Sequence, residues 1–161
     1  MSEFVDQLAQ LVVASSLSTQ RDIRGCSDAE IRELENHFEI RLPKVYKDFL
    51  KRMGKGAGLF MQGTDIFYEW LFGNREAMED VLTLDKNPFS ISKQVFVFSS
   101  HQGYIFHFFD TSAAQDDPPV YGYGEGELKP RLVNESLSDF LKTAIDEQIE
   151  GWAQVRNKPS L

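Results

Sequence analysis

The chain has little with which to staple itself together. Cys26 is its single cysteine, so an internal disulfide is excluded, and one thiol does not make a metal site. No apolar run approaches the roughly 20 residues of a membrane-spanning helix. The opening Met1-Ser2-Glu3-Phe4 lacks the basic region and apolar stretch of a signal peptide. Cytoplasmic residence, away from the membrane, is therefore expected. Positive charge is also scarce: 17 Lys and Arg face 25 Asp and Glu, a formal net charge of −8. Nucleic-acid binding draws on a basic field that neutralises phosphates, so direct nucleic-acid recognition is set aside. An acidic chain better suits a basic protein partner, because complementary potentials speed encounter.

What is present describes one globular unit. The 161 residues are 42% hydrophobic and 12% aromatic, enough to bury roughly two-thirds of the unfolded surface of a chain this size. A single domain over 1–161 is expected. Phe4, Leu8, Leu11 and Val12 recur at helical spacing and predict a first helix over 3–17. Ser27-Asp28-Ala29-Glu30 is a capping box, which starts a second helix with Ile31, Leu34 and Phe38 on one face. Leu42-Pro43 opens a third, with proline at its first position. Its stripe is Val45, Tyr46, Phe49, Leu50 and Met53, and Gly54 ends it as a left-handed cap.

Residues 64–72 are apolar and aromatic and predict a strand. Asn74 then caps a short helix that Asn87-Pro88 breaks. Val95-Phe96-Val97-Phe98 is apolar on both faces, as a central strand requires. A turn over Ser99–Gly103 and a strand over 104–109 complete a hairpin. Val120–Leu128 predicts a third strand, weakened by Gly122, Gly124 and Gly126. Ser136 caps a last helix carrying Leu137, Phe140, Leu141, Ala144, Ile145 and Ile149, and 154–161 reads as a frayed tail. Helices, then neighbouring strands, then a helix predict an α+β fold with a mixed, antiparallel-rich sheet flanked by helices.

Catalytic and ligand motifs are incomplete. Gly58 and Gly63 have phosphate-loop spacing, but Thr64 and Asp65 stand where Lys and Ser/Thr are needed. Gly122, Gly124 and Gly126 are not followed by the helix of a dinucleotide site. His37, His101 and His107 match no common zinc spacing, and His107 alternates with Ile105 and Phe109, which predicts packing against the sheet. No metal or cofactor is expected. A hydrolase using His101 with Asp110 is the catalytic alternative, although no nucleophile turn accompanies them. Glu125 and Glu127 would lie about 7 Å apart on one strand face, a distance compatible with paired acids, but acids near a strand end are ordinarily solvated.

Charge is segregated along the chain. No Lys or Arg occurs between Lys93 and Lys129, whereas Arg41–Lys55 is basic. If 120–128 is a regular strand, Tyr121, Tyr123, Glu125 and Glu127 share one face. Together with Asp116, Asp117 and the turn at His101, they form the expected contact surface, since tyrosine favours interface cores.

The run Ser27-Asp28-Ala29-Glu30-Ile31, then Leu34-Glu35, Ile40-Arg41-Leu42-Pro43 and Tyr46-Lys47-Asp48-Phe49-Leu50, leads into Gly54, Gly56 and Gly58. This pattern resembles the SUKH superfamily, which includes the yeast SMI/KNR-type cell-wall assembly regulators. The likeness continues through the hairpin and Phe140-Leu141, over about 27–145, and leaves the first helix outside. It implies an α+β fold of a mixed sheet flanked by helices. It gives Leu42, Pro43, Phe49 and Leu50 structural parts and leaves Glu35 and Tyr46 either at the surface or in a buried network. Many bacterial members look like immunity proteins that neutralise secreted toxins, often nucleases, and the yeast members act as interaction modules. The resemblance carries over no catalytic constellation. It implies a non-catalytic immunity protein that binds a basic toxin domain stoichiometrically, or else a regulatory adaptor without a toxin partner.

Overall fold

The computed structural model describes residues 2–157. Its elements are α1 (Glu3–Ala14), β1 (Ile23–Arg24), α2 (Asp28–Phe38), α3 (Lys44–Met53), β2 (Gly56–Ala57), β3 (Thr64–Asp65), α4 (Tyr68–Leu84), β4 (Val95–His101), β5 (Ile105–Asp110), β6 (Val120–Gly124), β7 (Arg131–Asn134) and α5 (Leu137–Arg156). A five-stranded sheet runs in the order β3-β4-β5-β6-β7, and β1 and β2 form a separate pair. Every pairing is antiparallel. The α+β reading holds, and among the described residues no strand pair is parallel. Among the described residues, no helix is long and apolar enough to cross a membrane.

Alternation along the strands builds two cores, one on each face of the sheet. Phe96, Phe98, Phe109 and Val120 face the helices α1, α3 and α5, joined by Val5, Leu8, Phe49, Leu50, Leu141 and Ile145. Val95, Val97, Phe106, Phe108 and Tyr123 face α4, through Met78 and Leu82. β4 is therefore covered on both sides, which explains its unbroken apolar run.

The register slips between Val97, opposite Phe108, and Ser99, opposite His107, so Phe98 has no cross-strand partner. This bulge keeps both Phe98 and Ser99 on the helix side. Phe98 stacks on Phe109 with ring centres 5.4 Å apart and meets Phe140 edge-on at 5.2 Å.

Several expectations need correction. Residues 64–72 are not a strand: only Thr64–Asp65 pairs, and a single helix begins at Tyr68. Asn74 lies inside that helix, buried, and donates to the Asp65 carbonyl at 2.8 Å instead of capping. The turn expected at Ser99–Gly103 begins only after His101. β6 stops at Gly124, because Gly126 takes φ +81° and turns the chain. The short pieces β1, β2 and β7 were not foreseen. Pro43 caps α3 from outside its first turn rather than occupying it, and Gly54 ends the helix at φ −65°, not left-handed. Glycine is required at Gly54 by crowding: a Cβ would lie 2.6 Å from the Leu50 carbonyl oxygen and 2.8 Å from Cys26 Sγ. The tail expected over 154–161 is helical as far as Arg156, and 158–161 lie outside the described residues.

Candidate functional site

The Leu-Glu and Leu-Pro motif builds the frame from which the site hangs. The capping box at Ser27 is reciprocal: Glu30 N–H donates to Ser27 Oγ at 3.2 Å, and Ser27 N–H donates to Glu30 Oε2 at 2.8 Å. Glu35 Oε1 then accepts from the Leu42 N–H at 2.8 Å, tying the end of α2 to the turn before α3. Glu35 is thus a network residue, and Tyr46 is fully buried against Phe49, Phe96, Phe98 and Phe109. Replacing Glu35 with alanine leaves the Leu42 N–H unpaired and is expected to cost about 1–3 kcal/mol, read from urea unfolding. A loss below a few tenths would mean that water replaces the carboxylate at no cost.

The basic surface of α3 is neutralised within the molecule. Lys44 pairs with Asp48, Lys47 with Glu35, Lys51 with Asp28, Arg52 with Asp6 and Lys55 with Glu30. Exposed pairs of this kind contribute little stability. Their consequence is electrostatic: the positive field of Arg41–Lys55 is cancelled close to its source. Cys26 offers no thiolate at neutral pH, since burial and then Glu30 push its thiol up to about 12. Among the described residues, no three His, Cys, Asp or Glu side chains converge to hold a metal ion.

The residues expected at the contact surface do not form one patch. Cross-strand register places His101 opposite Ile105 and Ile105 opposite Gly124 at one end of the sheet, with the Glu125–Gly126 turn beyond. Asp110, opposite Val95, marks the other end. Six residue steps along β4 separate His101 from Val95, roughly 20 Å at strand rise, so His101 and Asp110 do not meet. The hydrolase pairing therefore lacks its geometry.

Asp116 and Asp117 sit near the Asp110 end as connectors. The Asp116 carbonyl accepts from Val45 N–H at 3.0 Å, and Asp117 Oδ1 accepts from Ser138 N–H at 2.9 Å. They hold the first turns of α3 and α5, although the Asp116 side chain itself is exposed.

Of the four residues of 121–127, only the two tyrosines stay on one face. Tyr123 is 0% exposed in the α4-side core, where its hydroxyl donates to Asp85 and Asn87 donates to it at 3.3 Å. Tyr121 stacks on Phe108 at 5.8 Å, half-buried. Glu127 turns back to accept from Gly124 N–H at 3.0 Å and lies 3.7 Å from Arg131. Only Glu125 is exposed. The expectation of one shared face holds for Tyr121 and Tyr123, both on the α4 side, and fails for Glu125 and Glu127 because the strand ends at Gly124.

A groove of about 510 Å³ opens beside α5 on the helix side of the sheet. Phe140, Ala144 and Glu147 form its helical wall, at spacing that puts them on one α5 face. Met61 and Val133 close its sides, and His107 lies among its lining residues. Gln148 fixes the Met61 side, accepting from Met61 N–H at 2.9 Å and donating to Leu59 O at 2.7 Å.

The His107 ring packs on Phe140 with centres 4.8 Å apart, and its Nδ1 is 2.9 Å from Ser99 Oγ. Ser99 is completely buried. Burial, then Arg131, then His101 push the His107 imidazole down to about 4, so it is neutral at physiological pH. A second pair of the same kind lies toward β3, where Thr64 Oγ1 is 2.8 Å from His101 Nδ1. Sequence reading placed His107 against the sheet but missed its role in this groove. The small and polar positions Thr143, Ala144 and Glu147 on one α5 face were the available signal.

No curated protein matches the chain. A family model described as SMI1-KNR4 cell-wall matches residues 28–141, from the first residue of α2 into α5. That span holds the capping-box helix, the Glu35–Leu42 tie, the central hairpin and Phe140 on the groove wall, and leaves α1 outside. The chain is a member of the SUKH_6, SMI1-KNR4 cell-wall family.

Proposed function

We propose that this protein is a non-catalytic binding domain that neutralises a bacterial toxin, a basic nuclease domain, by stoichiometric association. The observation that carries this reading is the disposition of charge. Five of the six cations between Arg41 and Lys55 are held in ion pairs with the protein's own carboxylates. No cation at all lies between Lys93 and Lys129, where Asp110, Asp116 and Glu125 are exposed. The outward field is therefore acidic and suits a partner whose nucleic-acid site is positive. Membership of the SMI1-KNR4 cell-wall family is compatible with this reading, and the separation of His101 from Asp110 at opposite ends of the hairpin does not favour the hydrolase alternative.

The test is co-purification with the product of a neighbouring gene at low and high salt. Association with a basic toxin domain is expected to slow at least about tenfold when salt is raised or when Glu125→Lys and Asp116→Lys are combined. Unchanged association kinetics under both changes would refute the electrostatic account. Failure of every neighbouring product to bind would refute the toxin partner.

A further inference from the structure

Ser99 and His107 are an unusual pair to bury beside Phe98 and Phe140. A hydroxyl and an imidazole in aromatic surroundings cost desolvation that two apolar side chains would not. Their hydrogen bond also sets the state of the ring. Ser99 is fully buried, and its hydroxyl has His107 Nδ1 as its one side-chain or backbone partner among the described residues. If Nδ1 carried the proton, the serine hydrogen would have no acceptor. The serine therefore donates, Nδ1 accepts, and the proton of the neutral imidazole sits on Nε2. No hydrogen bond within the described residues occupies Nε2, and His107 lines the groove.

We infer that this groove receives an extended segment of the partner protein, with a backbone carbonyl on His107 Nε2, an apolar side chain against Met61, Val133 and Phe140, and a basic residue beside Glu147. Three observations select that occupant. Among the described residues the lining contains no Lys or Arg, and Glu147 is its one acidic residue, so a cation is attracted at the α5 wall; Arg131 bears on the opposite side, at His107 and Val133, where the segment presents a neutral carbonyl and an apolar side chain. The Nε2–H donor needs an acceptor, which every peptide carbonyl provides. The volume and largely apolar walls suit one or two side chains, within the general range of small binding sites. This inference rests on the protein-binding reading and names the chemistry of the segment inserted. Ser99 acts as a positioning residue through His107.

The test begins with the imidazole nitrogens of the full chain, observed by NMR at neutral pH. The Nε2–H tautomer is expected. A capped hexapeptide with a central leucine-lysine pair should shift the His107 Nε2 resonance saturably. The same peptide with leucine-aspartate should bind about tenfold more weakly, the worth of one reversed charge contact. Ala144→Trp fills the groove and should abolish the shift, and Thr143→Trp, at an exposed position, serves if the first variant does not fold. Glu147→Lys should reverse the preference between the two peptides.

An Nδ1–H tautomer, the lack of any saturable shift at millimolar peptide, or a shift that survives both groove-filling variants would overturn the inference. The two readings fail separately. A toxin domain that binds Ala144→Trp and the natural chain equally overturns the groove and leaves protein binding intact. A peptide that saturates His107 while no neighbouring product binds supports the groove and overturns the toxin partner.

Discussion

Replacing Phe98 with alanine is expected to destabilise the fold by about 3–5 kcal/mol, the range for deleting a buried aromatic ring. The residue is 0% exposed, stacked on Phe109 and edge-on to Phe140, with Tyr46 5.9 Å away between ring centres. It also sits in the bulge that brings Ser99 opposite His107. Three walls of the cavity belong to different elements, β5, α3 and α5, so no single movement can close it. Urea unfolding of the variant measures the loss directly. A cost below about 1 kcal/mol would show that the site collapses freely, contrary to the close packing of interiors. The variant should also change the environment of His107, whose ring centre is 6.4 Å from that of Phe98.

Acid should reveal His107 with an effect nearly as large. The folded state holds this imidazole neutral down to about pH 4, against an ordinary value of 6.5, chiefly through burial and then through Arg131 and His101. As pH falls through 6.5, the unfolded chain takes up a proton that the folded chain refuses. Stability is then lost progressively until pH reaches about 4, where the folded form titrates as well. The slope is about 1.4 kcal/mol per pH unit, for a total of about 3 kcal/mol. Glu147 also lines the groove, and its negative charge would favour the imidazolium and reduce the total.

The comparison is His107→Phe, which keeps the ring packing on Phe140 and removes the titration. Its stability between pH 6.5 and 4 should fall less steeply than that of the natural chain, by one proton's worth. Carboxylates with lowered values, such as Asp85 beside the Tyr123 hydroxyl and the Gly126 N–H, lose their contribution at lower pH in both proteins. Parallel slopes in this window would mean that the imidazole is already charged or solvated in the folded state.

Much of this protein was legible in one dimension, for reasons that differ by element. The α2 start could be read because a capping box involves only Ser27 and Glu30, three residues apart. β4 could be read because burial on both faces demands an unbroken apolar run. The start of Tyr68–Leu84 reads as strand because Tyr68, Trp70 and Phe72 favour strands intrinsically, and no side chain caps the helix to announce it. β7 was missed because a short edge strand with exposed Arg131, Leu132 and Val133 has no alternation to display.

The site divides along the same line. Composition and local pattern by themselves determined the acid excess, the cation-free stretch from Lys93 to Lys129, the α2–α3 motif and hence the family, because each depends on residues near one another in the chain. Tertiary structure alone decided that Lys47, Lys51 and Arg52 of α3 are neutralised by α1 and α2, that Tyr123 is core and Glu125 is surface, and that His101 and Asp110 lie at opposite ends of a hairpin. It also decided that Ser99 faces His107 beside a groove walled by α5. Those relations depend on strand register, on one bulge at Phe98 and on a turn at Gly126. Packing between distant segments sets each of them, and no periodicity within a segment records it.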